Sequence, residues 1–258
     1  MKRTQTAPDL SLFPEALHPF FEGARVFDSS SSPEARVYFI DKDGGYFLKT
    51  AAKGALSREA ELARYFHGKK LAPDVLAYIS HERDFMLTER VRGEDMTFRK
   101  YLDEPKKLCE LSASLLRELH EADFSACRVQ NHTARYIETA KKNRAKGLYD
   151  LSFAPEFKTA DEAYCYLTAN AHLLKNDVLL HGDYCLPNVM LDNWSFSGFI
   201  DVGNGGVGDR HVDLFWGVWT LEFNLVTDEY RRRFLDAYGR DKIEEEKLSL
   251  IAAAEVFG

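Results

Sequence analysis

Near residue 90 the texture of the chain changes, and that change limits its fold more than any other feature. Before it, residues 35–40 and 46–50 are rich in β-branched and aromatic side chains and flank Asp43-Gly44-Gly45, the pattern of a hairpin. Residues 75–79 and 85–88 read as two more strands around a polar turn at 81–84. One helix interrupts them. Ser57 has the character of an N-cap, and Glu59 and Glu61 follow in the first turn, where the helix dipole favours acids. Leu62, Ala63 and Phe66 recur at helical spacing through His67, and Pro73 ends the pattern. After Gly93, Leu108, Leu111, Leu115, Leu116 and Leu119 form a stripe spaced three or four apart, and 134–146, 160–174 and most of 211–255 also read as helix. The expected fold is therefore α+β in two lobes. Residues 1–90 form an antiparallel sheet with one helix, and residues 91–258 are mainly helical. A short crossing segment at 89–93 joins them in place of a long linker.

Composition narrows the function classes. The 258 residues carry 34 Lys and Arg against 41 Asp and Glu, a formal charge of −7, and 45% are hydrophobic. Those are globular proportions with enough apolar residues for a sizeable core. An acidic chain has little attraction for phosphate backbones, so no nucleic-acid partner is expected, whereas a cationic small molecule is admitted. No stretch reaches the length of an apolar membrane span. Met1-Lys2-Arg3-Thr4-Gln5 has no apolar core behind its two basic residues, so no secretory signal is expected. Cys109, Cys127, Cys165 and Cys185 contain no CxxC pair, and they read as buried, reduced thiols of a cytoplasmic protein, a monomer or weak dimer.

The chemistry concentrates in His181-Gly182-Asp183-Tyr184-Cys185-Leu186-Pro187-Asn188, which lies between the apolar runs 178–180 and 189–191. An Asp followed five residues later by an Asn is the spacing of a kinase catalytic loop, where the Asp meets the acceptor hydroxyl and the Asn binds Mg2+. Asp201 follows the strand-like 198–200 and precedes glycines, the place of a second metal-binding acid. Upstream, Lys49 ends a strand and Glu59 opens the next helix, the arrangement of a phosphate-holding lysine and the acid that orients it. Ser29, Ser30, Ser31 and Ser32 precede the hairpin. They do not form a glycine loop, but small polar residues can present hydroxyls and N–H groups to phosphates. The crossing segment, with Thr88 and Val91, is placed to offer backbone groups to a purine base. Taken singly, Lys49 is a solvated strand-end lysine, Glu59 a helix-start acid, His181 a brace and Asp201 a turn former. It is their order along the chain that points to phosphoryl transfer, which needs positioning and charge neutralisation more than covalent chemistry.

HGDYCLPNVMLD followed by FSGFIDVGNGGVGDRHVDL resembles the aminoglycoside phosphotransferases, particularly the 3′-type, and the resemblance runs over essentially the whole chain. It implies a two-lobed, protein-kinase-like fold and transfer of the γ-phosphate of ATP or GTP to a hydroxyl of an antibiotic. It also implies Asp183 as the catalytic aspartate, Asn188 and Asp201 as Mg2+ ligands, and Lys49 on the α/β-phosphates with Glu59 paired to it. Asp209 and Asp213 match family acids of an architectural kind.

On the acceptor side the resemblance implies Asp150, Glu255 and Phe257. Here the chain departs from the family: Ala254 replaces an acid, Asp150 lacks its acidic neighbours, and Asn204 stands where the family has an Arg after the Asp-x-Gly. A kinase of another amine or sugar alcohol, choline-like or fructosamine-like, is the alternative. A nucleotide-binding scaffold without turnover is a third reading. Retention of Lys49, Asp183, Asn188 and Asp201 together speaks against it.

Overall fold

The computed structural model describes residues 3–31 and 33–258. The chain divides into two units, residues 1–93 with 197–203, and residues 94–196 with 204–258.

The first unit is a six-stranded sheet of β1 (Thr4–Thr6), β2 (Arg25–Asp28), β3 (Ala35–Asp41), β4 (Tyr46–Ala52), β5 (Val75–Ser80) and β6 (Arg83–Glu89), in the order β1-β2-β3-β4-β6-β5. Every neighbouring pair is antiparallel. Register assigns the faces, because directly opposed residues point the same way. Tyr38 opposes Leu48 and Leu48 opposes Leu87, so these share one face. The N-terminal segment covers that face: Phe13, Leu17 and, from the short α1 (His18–Phe21), Phe21 are buried against Tyr38, Leu48, Phe85 and Leu87. Val37, Phe39, Phe47, Lys49 and Met86 occupy the opposite face.

Helix α2 (Ser57–Gly68) buries Glu59, Leu62, Ala63 and Phe66. Ser57 was expected to cap it. Instead the helix begins at Ser57, and Leu56 holds the cap position without a side-chain bond. The capping chemistry comes from another strand. Buried Asp84 accepts from the Leu56 N–H at 2.9 Å, the Tyr78 hydroxyl at 3.0 Å and the Ser80 hydroxyl at 2.7 Å.

The second unit holds β7 (Glu94–Asp95), β8 (Val178–Leu180), β9 (Val189–Asp192), the start of β10 (Ser195–Phe199) and β11 (Gly206–Gly208). They form a small sheet β10-β9-β7 and a pair β11-β8. Its helices are α3 (Arg99–Leu102), α4 (Pro105–Glu121), α5 (His132–Ala145), α6 (Ala160–Asn170), α7 (His211–Leu225), α8 (Tyr230–Tyr238) and α9 (Glu245–Glu255). The leucine stripe behaves as its spacing requires: Leu108, Leu115, Leu116 and Leu119 are buried along α4. Two details depart from the sequence reading. Cys165 is exposed on α6, whereas Cys109 and Cys127 are buried. Residues 197–203, expected in the second lobe, pack with the first unit, because the Phe199 N–H donates to the Leu71 carbonyl at 2.7 Å and its ring meets Phe66 edge-on at 6.3 Å. Among the described residues no helix is long and apolar enough to cross a membrane.

Candidate active site

In the first unit, Lys49 reaches from β4 to two acids. Its Nζ lies 2.9 and 2.8 Å from the Glu59 oxygens and 2.9 Å from Asp201 Oδ1. Burial works against the Lys49 cation, but Asp201 and Glu59 outweigh it and hold the pKa above the ordinary lysine value. Glu59 is raised, chiefly by burial, with Asp201 adding to the rise and Lys49 opposing it. Asp201 adopts φ +56°, a left-handed conformation that a non-glycine residue seldom takes. Such strain persists where the surroundings impose it and concentrates at functional positions. Two residues on, Gly203 lets the backbone lie against Glu59: a Cβ there would stand 3.1 Å from Glu59 Cβ and 3.2 Å from its Cγ.

In the second unit, residues 181–188 are held from below by Asp213, which is fully buried on α7. Its carboxylate accepts from the N–H groups of His181 at 2.8 Å and Gly182 at 2.7 Å. His120 Nε2 completes the set at 3.1 Å, and His120 Nδ1 lies 2.8 Å from the Tyr238 hydroxyl. Burial lowers the His120 pKa, and the neutral ring fits both contacts, with Nε2–H donating to Asp213 and Nδ1 accepting from Tyr238. Gly182 sits at φ +83°, and a Cβ there would run into the Asn204 backbone. Further along the loop, the Tyr184 hydroxyl donates to the Ser112 carbonyl at 2.8 Å and the Leu186 N–H to the Thr220 hydroxyl at 3.1 Å. The result is a fixed pair: Asn188 Nδ2 donates to Asp183 Oδ2 at 2.9 Å and to the Asp183 carbonyl at 3.0 Å.

Asp183 borders a cavity of about 220 Å³ within this unit, whose lining includes Arg135, Tyr136, Trp216, Glu255 and Gly258. Glu255 is 5% exposed and takes hydrogen bonds on Oε1 from the Tyr136 hydroxyl at 2.6 Å and Trp216 Nε1 at 2.8 Å. Burial pushes its carboxyl up to about 7 against those two bonds. Arg135 donates from Nη2 to the Asn204 carbonyl at 3.2 Å. The sequence held no sign of Arg135 or Trp216, since neither stands in a motif and α5 and α7 bring them to the cavity from distant stretches. Phe257 does not face the cavity. It is 1% exposed, packed in the core with its ring edge-on to Tyr164 at 5.7 Å. Asp150 is exposed and caps the turn Leu151–Phe153, accepting from the Ser152 N–H at 2.8 Å.

The serine loop is differently employed from its expected use. The Ser29 N–H donates to the Val37 carbonyl at 2.9 Å, the Ser30 N–H to Asp28 Oδ1 at 2.9 Å, and the Ser30 hydroxyl accepts from the Val37 N–H at 3.0 Å. Ser30 also lines a cavity with Arg36, Tyr38 and Thr50, on the sheet face opposite Lys49. Ser31 is exposed, and Ser32 lies outside the described residues. Thr88 opposes Phe47 and so shares the Lys49 face, while Val91 is buried beside Gly198. The backbone between them is partly engaged, with the Glu89 N–H on the Asp74 carbonyl and the Arg90 N–H on the Gly45 carbonyl. No cluster of three or more His, Cys, Asp or Glu among the described residues could cage a metal. Isolated amide and carboxylate oxygens such as those of Asn188 and Asp201 suit an ion that takes most of its ligands from phosphate and water, as Mg2+ does.

A unit built on an antiparallel sheet with one long helix, together with a mainly helical unit, is the architecture of kinase-like phosphotransferases. Residues 25–250 match the model of the phosphotransferase enzyme family. A Lactococcus lactis protein described as a probable aminoglycoside 3′-phosphotransferase is 50% identical over 253 residues, 97% of each chain. Among solved structures, an aminoglycoside-3′-phosphotransferase of type VIII superposes with a TM-score of 0.78 at 26% identity, covering 94% of this chain and 97% of that one. An aminoglycoside phosphotransferase from Streptomyces rimosus, solved with ADP and streptomycin, shares the fold at a TM-score of 0.70 and 21% identity, over 98% and 100% of the two chains. The chain belongs to the phosphotransferase enzyme family and, within it, to the aminoglycoside phosphotransferases.

Proposed function

We propose that the chain transfers the γ-phosphate of ATP or GTP to the 3′-hydroxyl of an aminoglycoside and so confers resistance to it. The observation that carries this reading is the Asp183–Asn188 pair at the edge of a cavity that also holds Glu255. Asp183 receives the acceptor's hydroxyl proton and orients its oxygen for attack. Lys49, steadied by Glu59, binds the α/β-phosphates. Asn188 and Asp201 each offer a hard oxygen to Mg2+, which would neutralise charge on the phosphate oxygens. Arg135, a cation on the Asp183 cavity, adds positive charge near the transferred group. Residues 1–93 with 197–203 act as the nucleotide-binding lobe, with Thr88 and Val91 near the base, and residues 94–196 with 204–258 as the catalytic and acceptor-binding lobe.

A second reading keeps the chemistry and changes the acceptor to another amine or a sugar alcohol. What favours it is the short supply of carboxylates: Glu255 is buried and engaged, and Asp150 serves as a cap. Coupled measurement of nucleotide consumption over kanamycin-type compounds, choline and sugars decides between them. Turnover with an aminoglycoside, lost in Asp183→Ala while nucleotide binding persists, is the expected result. A flat response to every aminoglycoside would sink the first reading.

A further inference from the structure

An aromatic ladder begins at the wall of the Asp183 cavity and leaves it along one face of α7. Trp216 lines the cavity and donates to Glu255. Trp219 follows one turn on, its ring 5.3 Å from that of Trp216, and Phe223 stacks on Trp219 at 5.0 Å with an interplanar angle of 12°. Phe153, from the turn that Asp150 caps, meets Trp216 at 5.7 Å and Trp219 at 6.1 Å. An aromatic stripe on a helix ordinarily faces a core. This one does not stay buried: Trp216 and Trp219 are half-buried, and Phe223 is 67% exposed.

We propose that Trp216, Trp219 and Phe223, flanked by Phe153, form the surface that holds the ammonium-bearing ring of the acceptor, through cation–π and ring-face contacts in place of carboxylate pairing. The inference rests on the reading above that the acceptor is a cationic amine. Three observations carry it. The ladder is continuous with the cavity through Trp216. The carboxylate beside it, Glu255, already accepts two hydrogen bonds and is buried, which weakens it as an amine partner. The ladder itself offers π faces, two of them indoles, and indole is the strongest of the side-chain rings for attracting a cation. Aromatic faces also pack against the apolar face of a sugar-like ring, a second contact that a carboxylate does not supply.

The test uses the full chain carrying Trp194→Phe, so that Trp216 and Trp219 supply the indole fluorescence. Kanamycin A and tetramethylammonium chloride are the probes, with sodium chloride at equal ionic strength as control. The expected result is that both probes change the fluorescence, sodium chloride does not, and tetramethylammonium competes with kanamycin A. Trp219→Leu should weaken kanamycin A binding about tenfold, and Trp219→Phe by less than about threefold, in line with a contact of this kind. The KM for ATP should stay unchanged. Melting curves for both variants establish that they fold. Fluorescence blind to both probes, or Trp219→Leu and Phe223→Ala binding kanamycin A as tightly as the parent, overturns the proposal. So does a Phe223→Ala variant that turns a dimer into a monomer without altering amine binding, since the face would then serve a second copy of the chain. Intact binding with no phosphate transfer to kanamycin A would defeat the phosphotransfer reading and leave the ladder standing.

Discussion

Lys49 Nζ stands 2.9 Å from Asp201 Oδ1, a partner 152 residues further along the chain, and within 2.9 Å of both Glu59 oxygens. One cation thus holds two acids from separate segments, one of them on a strained backbone. If Lys49 binds nucleotide phosphates, the acids fix where its charge sits. Lys49→Met removes the charge and keeps the length. It leaves Glu59 and Asp201 facing each other's charge in a partly buried site. We expect kcat/KM for ATP to fall on the order of 10²-fold, with binding and turnover both affected. Steady-state kinetics over an ATP series checks this, and an unchanged KM for ATP would refute the phosphate role.

In the proposed mechanism Asp183 meets the acceptor hydroxyl, and Asn188 holds Asp183 by one hydrogen bond to the carboxylate and one to the backbone carbonyl. Asp183→Asn is nearly isosteric and cannot take a proton. The expected loss in kcat is on the order of 10³-fold, within the range for a positioned general base, with the nucleotide Kd changed less than about threefold. Single-turnover phosphate transfer and nucleotide titration separate the two. Weakened nucleotide binding of similar size would count against the assignment.

Buried Asp213 holds the loop that carries Asp183, and it does so through two backbone N–H groups and a neutral histidine. Removing the carboxylate leaves those donors buried without an acceptor. Asp213→Ala should therefore cost about 3 kcal/mol of stability and lower kcat as well. Urea denaturation and kinetics on the same preparation test both effects. His120 contributes with a defined sign. Its folded pKa lies below the ordinary value, so the fold favours the neutral ring and loses stability as pH falls through the range below about 6.5. His120→Gln should flatten that part of the stability profile.

The β-to-α change of texture, the hairpin and the leucine stripe were legible because each rests on local periodicity that packing then reinforces. The Asp183–Asn188 spacing was legible for a similar reason, since a short loop fixes both residues together. Glu59 and Lys49 could be paired from the strand–helix order alone. What escaped was decided by contacts far apart in sequence. Asp84 rather than Ser57 serves the start of α2, from a strand 28 residues away. The serine loop reads as a phosphate cradle by composition, and in the fold the N–H groups of Ser29 and Ser30 donate to the Val37 carbonyl and Asp28. Phe257 matched a terminal motif, but its ring belongs to the core of its own unit. Residues 197–203 join the first unit through the Phe199–Leu71 hydrogen bond, the Phe66–Phe199 ring contact and the Lys49–Asp201 ion pair, contacts between segments more than 100 residues apart.

Glu255 gives the sharpest pH signature. Its carboxyl is buried between Tyr136 and Trp216, and its folded pKa is raised to about 7 from the model-peptide value of about 4.3. A raised acid means that the folded state binds the proton more tightly than the unfolded chain does. Between those two pKa values the unfolded chain has lost the proton and the folded chain has kept it, so unfolding releases it and is favoured as pH rises. Stability should therefore fall from about pH 4.5 to about pH 7 and level off above it, by on the order of 3–4 kcal/mol from this group. Glu255→Gln has nothing to ionise and keeps two oxygen acceptor sites. The difference in unfolding free energy between the parent and this variant, measured by urea denaturation at pH 5, 6, 7 and 8, should shrink or reverse along that series in favour of Gln. With the acceptor's ammonium held by the aromatic ladder, kcat/KM for a kanamycin-type amine should follow the same course through pH 6–8 in parent and variant, and a rise in the parent that the variant loses would place the ammonium on Glu255 instead. A stability difference independent of pH would mean that Glu255 is already ionised in the fold, with Tyr136 and Trp216 stabilising its charge.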